Sequence, residues 1–397
     1  MNSEWRKCTI ADLGTIVTGK TPSTKKKEFW GGNIPFVTPK DIQNTKHILS
    51  TERYITEEGL SSVKGSVIPP DAICVSCIGN IGYTAKTIQK CVSNQQINTI
   101  ITSGDNDNDF VFYLMRSLWP YFKNYEGQST TLSILNKTQF SKTEICVPNL
   151  PTQRKIAGIL SALDDKIELN NKINNHLEQV AQAIYKSWFV DFEPFDESFI
   201  SEWMPSTLGE IANIKTNSWS PEKHPDDMVE HYSIPAFDEQ HYPTFEIASG
   251  IKSNKYIITP DSVMISKLNP DTKRIWRPLC ISENPVCSTE FIVYEAKKSC
   301  QRDYIYSVID SNFFLKYLCS HTTGSTNSRQ RATPKSTLDF PLLLPPDSVI
   351  DEFCRTVTPV YDLIASNIIE NQSLTRARDT ILPRLMSGEL DVSDLDL

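Results

Sequence analysis

Apolar residues between 151 and 190 recur at alternating spacings of four and three: Ile156, Leu160, Leu163 and Ile167, then Asn170 and Asn174, then Leu177, Ala181, Ile184 and Trp188. Such spacing marks the seam of a helix packed on another helix. No proline follows Pro151 in this stretch and no glycine follows Gly158. The pattern returns 197 residues later, at Phe353, Val357, Val360, Ile364, Asn367, Asn371, Leu374, Arg378, Ile381 and Leu385. The two asparagines fall at the same two places, and Asp165 is matched by Asp362. A buried amide must find a partner, and polar seam residues fix register at some cost in stability. The pattern therefore predicts two long helices that pair with each other through Asn170, Asn174, Asn367 and Asn371.

The segments before the helices repeat each other weakly. Trp5 begins a stretch with Leu13-Gly14 and Ile16, and Trp203 one with Leu208-Gly209 and Ile211. IPPDAICVSC (68–77) is matched by ITPDSVMISK (258–267), each a Pro-Asp turn feeding an alternating strand. CVSNQQINTI (91–100) is matched by VCSTEFIVYE (286–295), and DFVFYLMRS (109–117) by DYIYSVIDS (303–311). The last pair reads as short helices capped by Asp109 and Asp303. Small-residue loops follow, at 127–131 and 324–328, and each segment ends in a strand and a proline, Pro148 or Pro345. The reading is an α+β chain of four parts: a domain over 1–150, a helix over 151–190, a linker and second domain over 191–345, and a helix with tail over 346–397. If the helices run antiparallel, two related but unequal domains sit at the ends of a rigid spacer. That arrangement suits a target with two different half-sites and a gap.

Charge refines this picture. The net charge of −8 argues against a polyanion partner, but its distribution does not. Residues 1–150 carry a net +3 and residues 204–345 a net −1, whereas 346–397 carry −6 and 191–203 hold five acids and no base. Local basic faces thus remain available on both domains. No apolar run reaches the ~18 residues of a membrane span, and no signal-peptide pattern follows Met1. Ten cysteines scattered through apolar strings suit buried thiols in a reducing cytoplasm.

Residues 150–194, LPTQRKIAGILSALDDKIELNNKINNHLEQVAQAIYKSWFVDFEP, and 375–395, TRARDTILPRLMSGELDVSDL, resemble the two conserved regions of type I restriction-modification specificity subunits. The opening WRKCTIADLGTIVTGKTPSTKKKEFWGGNIPFVTPKDI (5–42) resembles the start of one of their target recognition domains. The resemblance implies two target recognition domains, each reading half of a bipartite double-stranded DNA site. It also implies a coiled-coil pair that sets the gap and docks two methyltransferase (modification) subunits, with restriction subunits joining the complex. S-adenosylmethionine, ATP and magnesium are then expected on the partners, with no cofactor or metal on this chain. The GKTPS loop of the first domain has no match in the second, where KTNSWSPEKHP (215–225) stands; unequal half-sites are expected.

Groove edges are read by Arg or Lys at guanine and by Asn or Gln at adenine. Candidate DNA contacts in the first domain are Lys20, Thr21, Ser23, Lys25, Lys26, Lys40, Gln95, Gln128, Ser129 and Thr130. In the second they are Lys267, Lys273, Arg274, Thr326, Ser328, Arg329 and Arg331. Partner contacts are expected on outward helix faces around Lys166, Lys172 and Glu178, and around Arg376, Arg378 and Arg384. The LPRLMSGEL tail is expected to pack near the start of the first domain. Catalytic readings are weaker. Asp261, Asp271 and Lys273 fit a loose nuclease spacing, Cys74 and Cys77 form a lone C-x-x-C, and no phosphate-cradling G-x-x-x-x-G-K-[ST] loop is present. A non-catalytic DNA-recognition subunit is the expectation; a nuclease with duplicated specificity domains, or a protein-binding scaffold, is the alternative.

Overall fold

The computed structural model describes residues 5–42, 46–124, 134–323, 330–393 and 395. The chain divides into two units: residues 1–168 with 372–397, and residues 169–371. Each long helix contributes one part of its length to each unit. Both are forty residues long, Leu150–Phe189 and Asp347–Met386, or about 60 Å at 1.5 Å per residue.

In the first unit a five-stranded sheet runs in the order Gly14–Thr18, Ile97–Thr102, Ile73–Ser76, Thr84–Thr87, His47–Ile48. A four-stranded sheet runs Arg53–Ile55, Trp30–Val37, Cys91–Ser93, Val67–Ile68. The second unit repeats this plan. Ala212–Lys215, Phe291–Ala296, Ser262–Ser266 and Ile275–Trp276 form one sheet; Ser218–Trp219, Lys255–Ile257, Pro285–Ser288, Met228–Tyr232 and Thr244–Ile247 form the other. The pairing of Trp30–Val37 with Cys91–Ser93 is parallel, as is that of Met228–Tyr232 with Pro285–Ser288. An antiparallel ribbon leads into each long helix: Arg6–Thr9 with Glu144–Val147, and Met204–Thr207 with Pro341–Leu344. The duplication read from sequence is thus a duplication of topology.

The cores form where each domain meets the helices. Phe110, Val111, Phe112 and Tyr113 of the short helix Asn108–Ser117 are buried with Ile156 and Leu160 and with Leu382, Leu385 and Met386. In the second unit Tyr304, Ile305 and Val308 of the helix Arg302–Asp310 are buried with Ala181, Tyr185, Phe353 and Val357. The tail packs as expected. Gly388 adopts φ +74, a left-handed conformation natural to glycine after a helix; a Cβ there would lie 3.1 Å from the Trp5 ring. Lys155 Nζ donates to the Ser393 carbonyl at 2.6 Å.

The asparagine layers are present. Asn170 Nδ2 donates to Asn371 Oδ1 (2.9 Å), Asn367 Nδ2 to Asn174 Oδ1 (2.8 Å), and Asn371 Nδ2 to Asn171 Oδ1 (2.9 Å). Partners fall from 371 to 367 as positions rise from 170 to 174, so the helices run antiparallel. The first unit adds an ionic layer that the apolar spacing does not reveal. Asp164 accepts from Tyr113 Oη at 2.7 Å and from Arg378 Nη1 at 2.6 Å. Arg378 is therefore not an outward partner-contact residue. It is buried against Asp164 and also bonds Asp379, because a guanidinium on the seam needs carboxylates once it leaves water.

Asp109 and Asp303 are not helix caps either. The first helix is capped by Asp107, which accepts from Phe110 N at 2.9 Å, and the second has Gln301 at its cap position. Asp109 and Asp303 are the second residues of their helices, within the first turn, and serve as counter-ions. Lys86 donates to Asp109 at 2.6 Å, while Lys46 donates to Asp165 on the long helix at 2.8 Å. In the second unit Arg277 takes both roles, bonding Asp303 at 2.8 Å and Asp362 at 2.7 Å. The matched aspartates of the short and long helices are held by two lysines in one repeat and by one arginine in the other, and Lys46 and Arg277 are the cations that reach the long helices.

Candidate nucleic-acid interface

In the first repeat the chain leaves the strand Gly14–Thr18 and folds over the turn 94–96. Gly19 makes this possible: a Cβ there would sit 2.0 Å from the Asn94 carbonyl and 2.4 Å from that of Ser93. Gly19 N donates to the Ile97 carbonyl at 3.1 Å. Thr21 Oγ1 then donates to Gln95 Oε1 at 2.7 Å, and Trp30 Nε1 holds the Ser23 carbonyl at 3.2 Å. Ser23, Lys20, Lys25, Lys26 and Lys27 are exposed on this loop. Lys26 lies over the Phe29 ring at 5.0 Å, and Arg53 stacks on Trp30 at 3.7 Å. Lys40 is exposed in the turn Pro39–Ile42. Among the described residues, Lys20, Lys25, Lys26, Lys27 and Lys40 have no ion-pair partner, so the loop presents uncompensated positive charge of the kind phosphates attract. Gln128, Ser129 and Thr130 lie outside the described residues.

The second repeat handles its cations differently. Lys273 bonds Asp310 at 2.5 Å, Arg274 grips Asp238 through two bonds of 2.6 and 2.8 Å, and Arg331 grips Glu290 at 3.0 and 3.1 Å. Burial pushes the Asp310 carboxyl above its usual range, against the pull of Lys273. Lys267 has no ion pair among the described residues; its carbonyl accepts from Ala332 N at 2.9 Å. Thr326, Ser328 and Arg329 lie outside the described residues. Sequence order could not reveal these pairings, because Arg274 lies 36 positions from Asp238 and Arg331 lies 41 from Glu290. Glu290 was missed for the same reason.

The nuclease constellation does not share partners. Asp261 accepts from Ser299 Oγ at 2.6 Å, Asp271 from Thr272 N at 3.0 Å, and Lys273 is taken by Asp310. Cys74 and Cys77 belong to different cores, since residues three apart on a strand point to opposite faces. Burial pushes their thiols up to about 11 and about 12, which keeps both protonated. On the long helices Lys166, Lys172, Glu178, Arg376 and Arg384 are exposed, with Arg384 bonded to Glu389 at 2.7 Å.

Residues 2–179 match the family model described as the type I restriction modification DNA specificity domain. Over 99% of its length the chain is 28% identical to the Type I restriction enzyme MjaIX specificity subunit of Methanocaldococcus jannaschii, covering 95% of that protein. Over 43% of its length it is 33% identical to the Type I restriction enzyme HindI specificity subunit of Haemophilus influenzae, covering 38% of that protein. Its fold is similar to the crystal structure of the type I restriction-modification S subunit from M. genitalium, at a TM-score of 0.56 and 17% identity, over 99% of this chain and 98% of that one.

Proposed function

Given its similarity over nearly its whole length to a type I restriction enzyme specificity subunit, we propose that the chain is a member of that family that reads a split, asymmetric DNA site and places its partners there without a catalytic step of its own. The observation that carries this reading is the duplicated two-sheet domain with two differently charged loop surfaces. The uncompensated lysines of the first repeat supply phosphate contacts, and groove-edge readers supply sequence. In the second repeat Lys273, Arg274 and Arg331 are held in ion pairs, so fewer cations are left for phosphate and a different base pattern is expected. The paired helices act as the ruler: helices of about 60 Å comfortably exceed the ~34 Å of one DNA turn.

The partners are modification subunits, two per chain to match the duplication, with restriction subunits completing the complex. S-adenosylmethionine, ATP and magnesium belong to those partners in this reading, and the cytoplasm, where DNA is accessible, is the place of action. Among the described residues no helix is long and apolar enough to cross a membrane. Selection from a randomised duplex library by the purified complex of this chain with its modification subunits tests the proposal. Two constant segments at one fixed separation are expected. Enrichment of no motif, or of one uninterrupted motif, would contradict it.

A further inference from the structure

In both repeats one tight turn joins a strand of one sheet directly to a strand of the other. The turn 94–96 links the strands Cys91–Ser93 and Ile97–Thr102, and the turn 289–290 links Pro285–Ser288 and Phe291–Ala296. The same backbone bond braces each turn from a neighbouring strand: Cys77 N donates to the Gln96 carbonyl at 2.7 Å, and Lys267 N to the Glu290 carbonyl at 2.9 Å. The side chains, in contrast, differ in kind.

In the first repeat the turn carries three consecutive amides. Asn94 and Gln96 are knit together, with Asn94 Nδ2 donating to Gln96 Oε1 at 2.8 Å and Gln96 N donating to Asn94 Oδ1 at 3.0 Å. Gln95 stands apart and is exposed. Its Oε1 is occupied by the Thr21 hydroxyl, while its Nε2 has no partner among the described residues. An amide held by its oxygen is a fixed two-hydrogen donor. Lys20, Lys25, Lys26 and Lys27 lie on the loop that Gly19 clamps over this turn. In the second repeat the turn is one residue shorter and carries Glu290, gripped through Nε and Nη2 of Arg331, whose Nη1 remains without a partner among the described residues.

We propose that this inter-sheet turn is the base-reading element of both repeats, with Gln95, oriented by Thr21, donating to a guanine edge in one half-site and the Glu290–Arg331 pair reading the other. The inference rests on the DNA-recognition reading above. Guanine offers two neighbouring acceptors, O6 and N7, in the major groove, which suits a side chain presenting donors alone. Thr21 is a positioning residue: it fixes which end of the amide faces outward.

The test is the modified motif written by the assembled complex, mapped by single-molecule sequencing, for the parent chain and for Gln95→Ala, Gln95→Glu, Thr21→Val and Arg331→Ala. A parent complex that modifies no split motif would overturn the underlying reading. With that motif established, Gln95→Ala should relax one guanine in one half-site by about tenfold or more. Gln95→Glu, which removes the donors, should disfavour guanine there. Thr21→Val should relax the same position to a smaller degree, and Arg331→Ala should alter the opposite half-site alone. Unchanged motifs in the Gln95 variants, or Gln95 and Arg331 variants that alter the same half-site, would overturn the proposal.

Discussion

Arg277 bridges two helices of the second repeat. Its guanidinium joins Asp303 of the short helix to Asp362 of the long one while its side chain is only 11% exposed. Truncation would leave Asp303 buried, with Arg302 and the Thr358 hydroxyl as its remaining side-chain partners. Removing one member of a buried pair costs about 3–5 kcal/mol, so Arg277→Ala should lower the thermal midpoint of the second unit by about 10 °C in calorimetry. The same site has a pH signature. Burial alone would raise the Asp303 carboxyl, but hydrogen bonds and charge from Arg277 and Arg302 override it and lower it to about 2. A carboxyl whose folded value lies below its unfolded one stabilises the fold above about pH 4 and loses that contribution as pH falls towards 2. Unfolding free energy should therefore decline across that window, and Asp303→Asn should flatten the decline. Sequence spacing revealed the Asp165–Asp362 match, yet it could not reveal the cations. Lys46 and Lys86 do in the first repeat what Arg277 does alone in the second, so no alignment of basic residues exists to be found. Arg378 failed for a related reason: a charge on a helix seam reads as outward until Asp164 and Tyr113 are brought beside it.

Among the elements, the long helices were the most legible, because an apolar period and two repeated asparagines encode both the surface and the register. The short helices were located correctly but begun wrongly, since Asp107 and Asp109 are equally plausible caps until Lys86 claims one of them. The asparagine layer makes a further expectation testable. Asn174→Leu alone strands the Asn367 amide and should cost about 1–3 kcal/mol. Combining it with Asn367→Leu should restore that stability or exceed it, since two matched apolar groups need no hydrogen bond. Denaturant unfolding of the three variants reads the difference, and non-recovery in the double variant would show that the layer does more than satisfy itself. As a ruler, the pair makes a second prediction. Inserting one heptad at matching places in both helices, which preserves the seam, should lengthen the gap between half-sites by about 10 Å, or about three base pairs. A motif with an unchanged gap would show that the helices do not set the spacing.

The chain as a whole carries a net charge of −8, and this colours how it meets DNA. Its acids are concentrated in the linker and C-terminal helix, while the loop of the first repeat keeps unpaired lysines. Phosphate neutralisation by so few cations leaves much of the electrostatic attraction to partner subunits. Binding by the chain alone should thus be weak and fall less steeply with salt than binding by the assembled complex, which titrations at several salt concentrations would compare. The most direct measurement of the central claim is N6-methyladenine mapping by single-molecule sequencing in cells that carry the modification subunit, with and without this chain. Methylation at one split, asymmetric motif that appears only when the chain is present is the predicted result. An intact, expressed complex that adds no such motif would contradict the account.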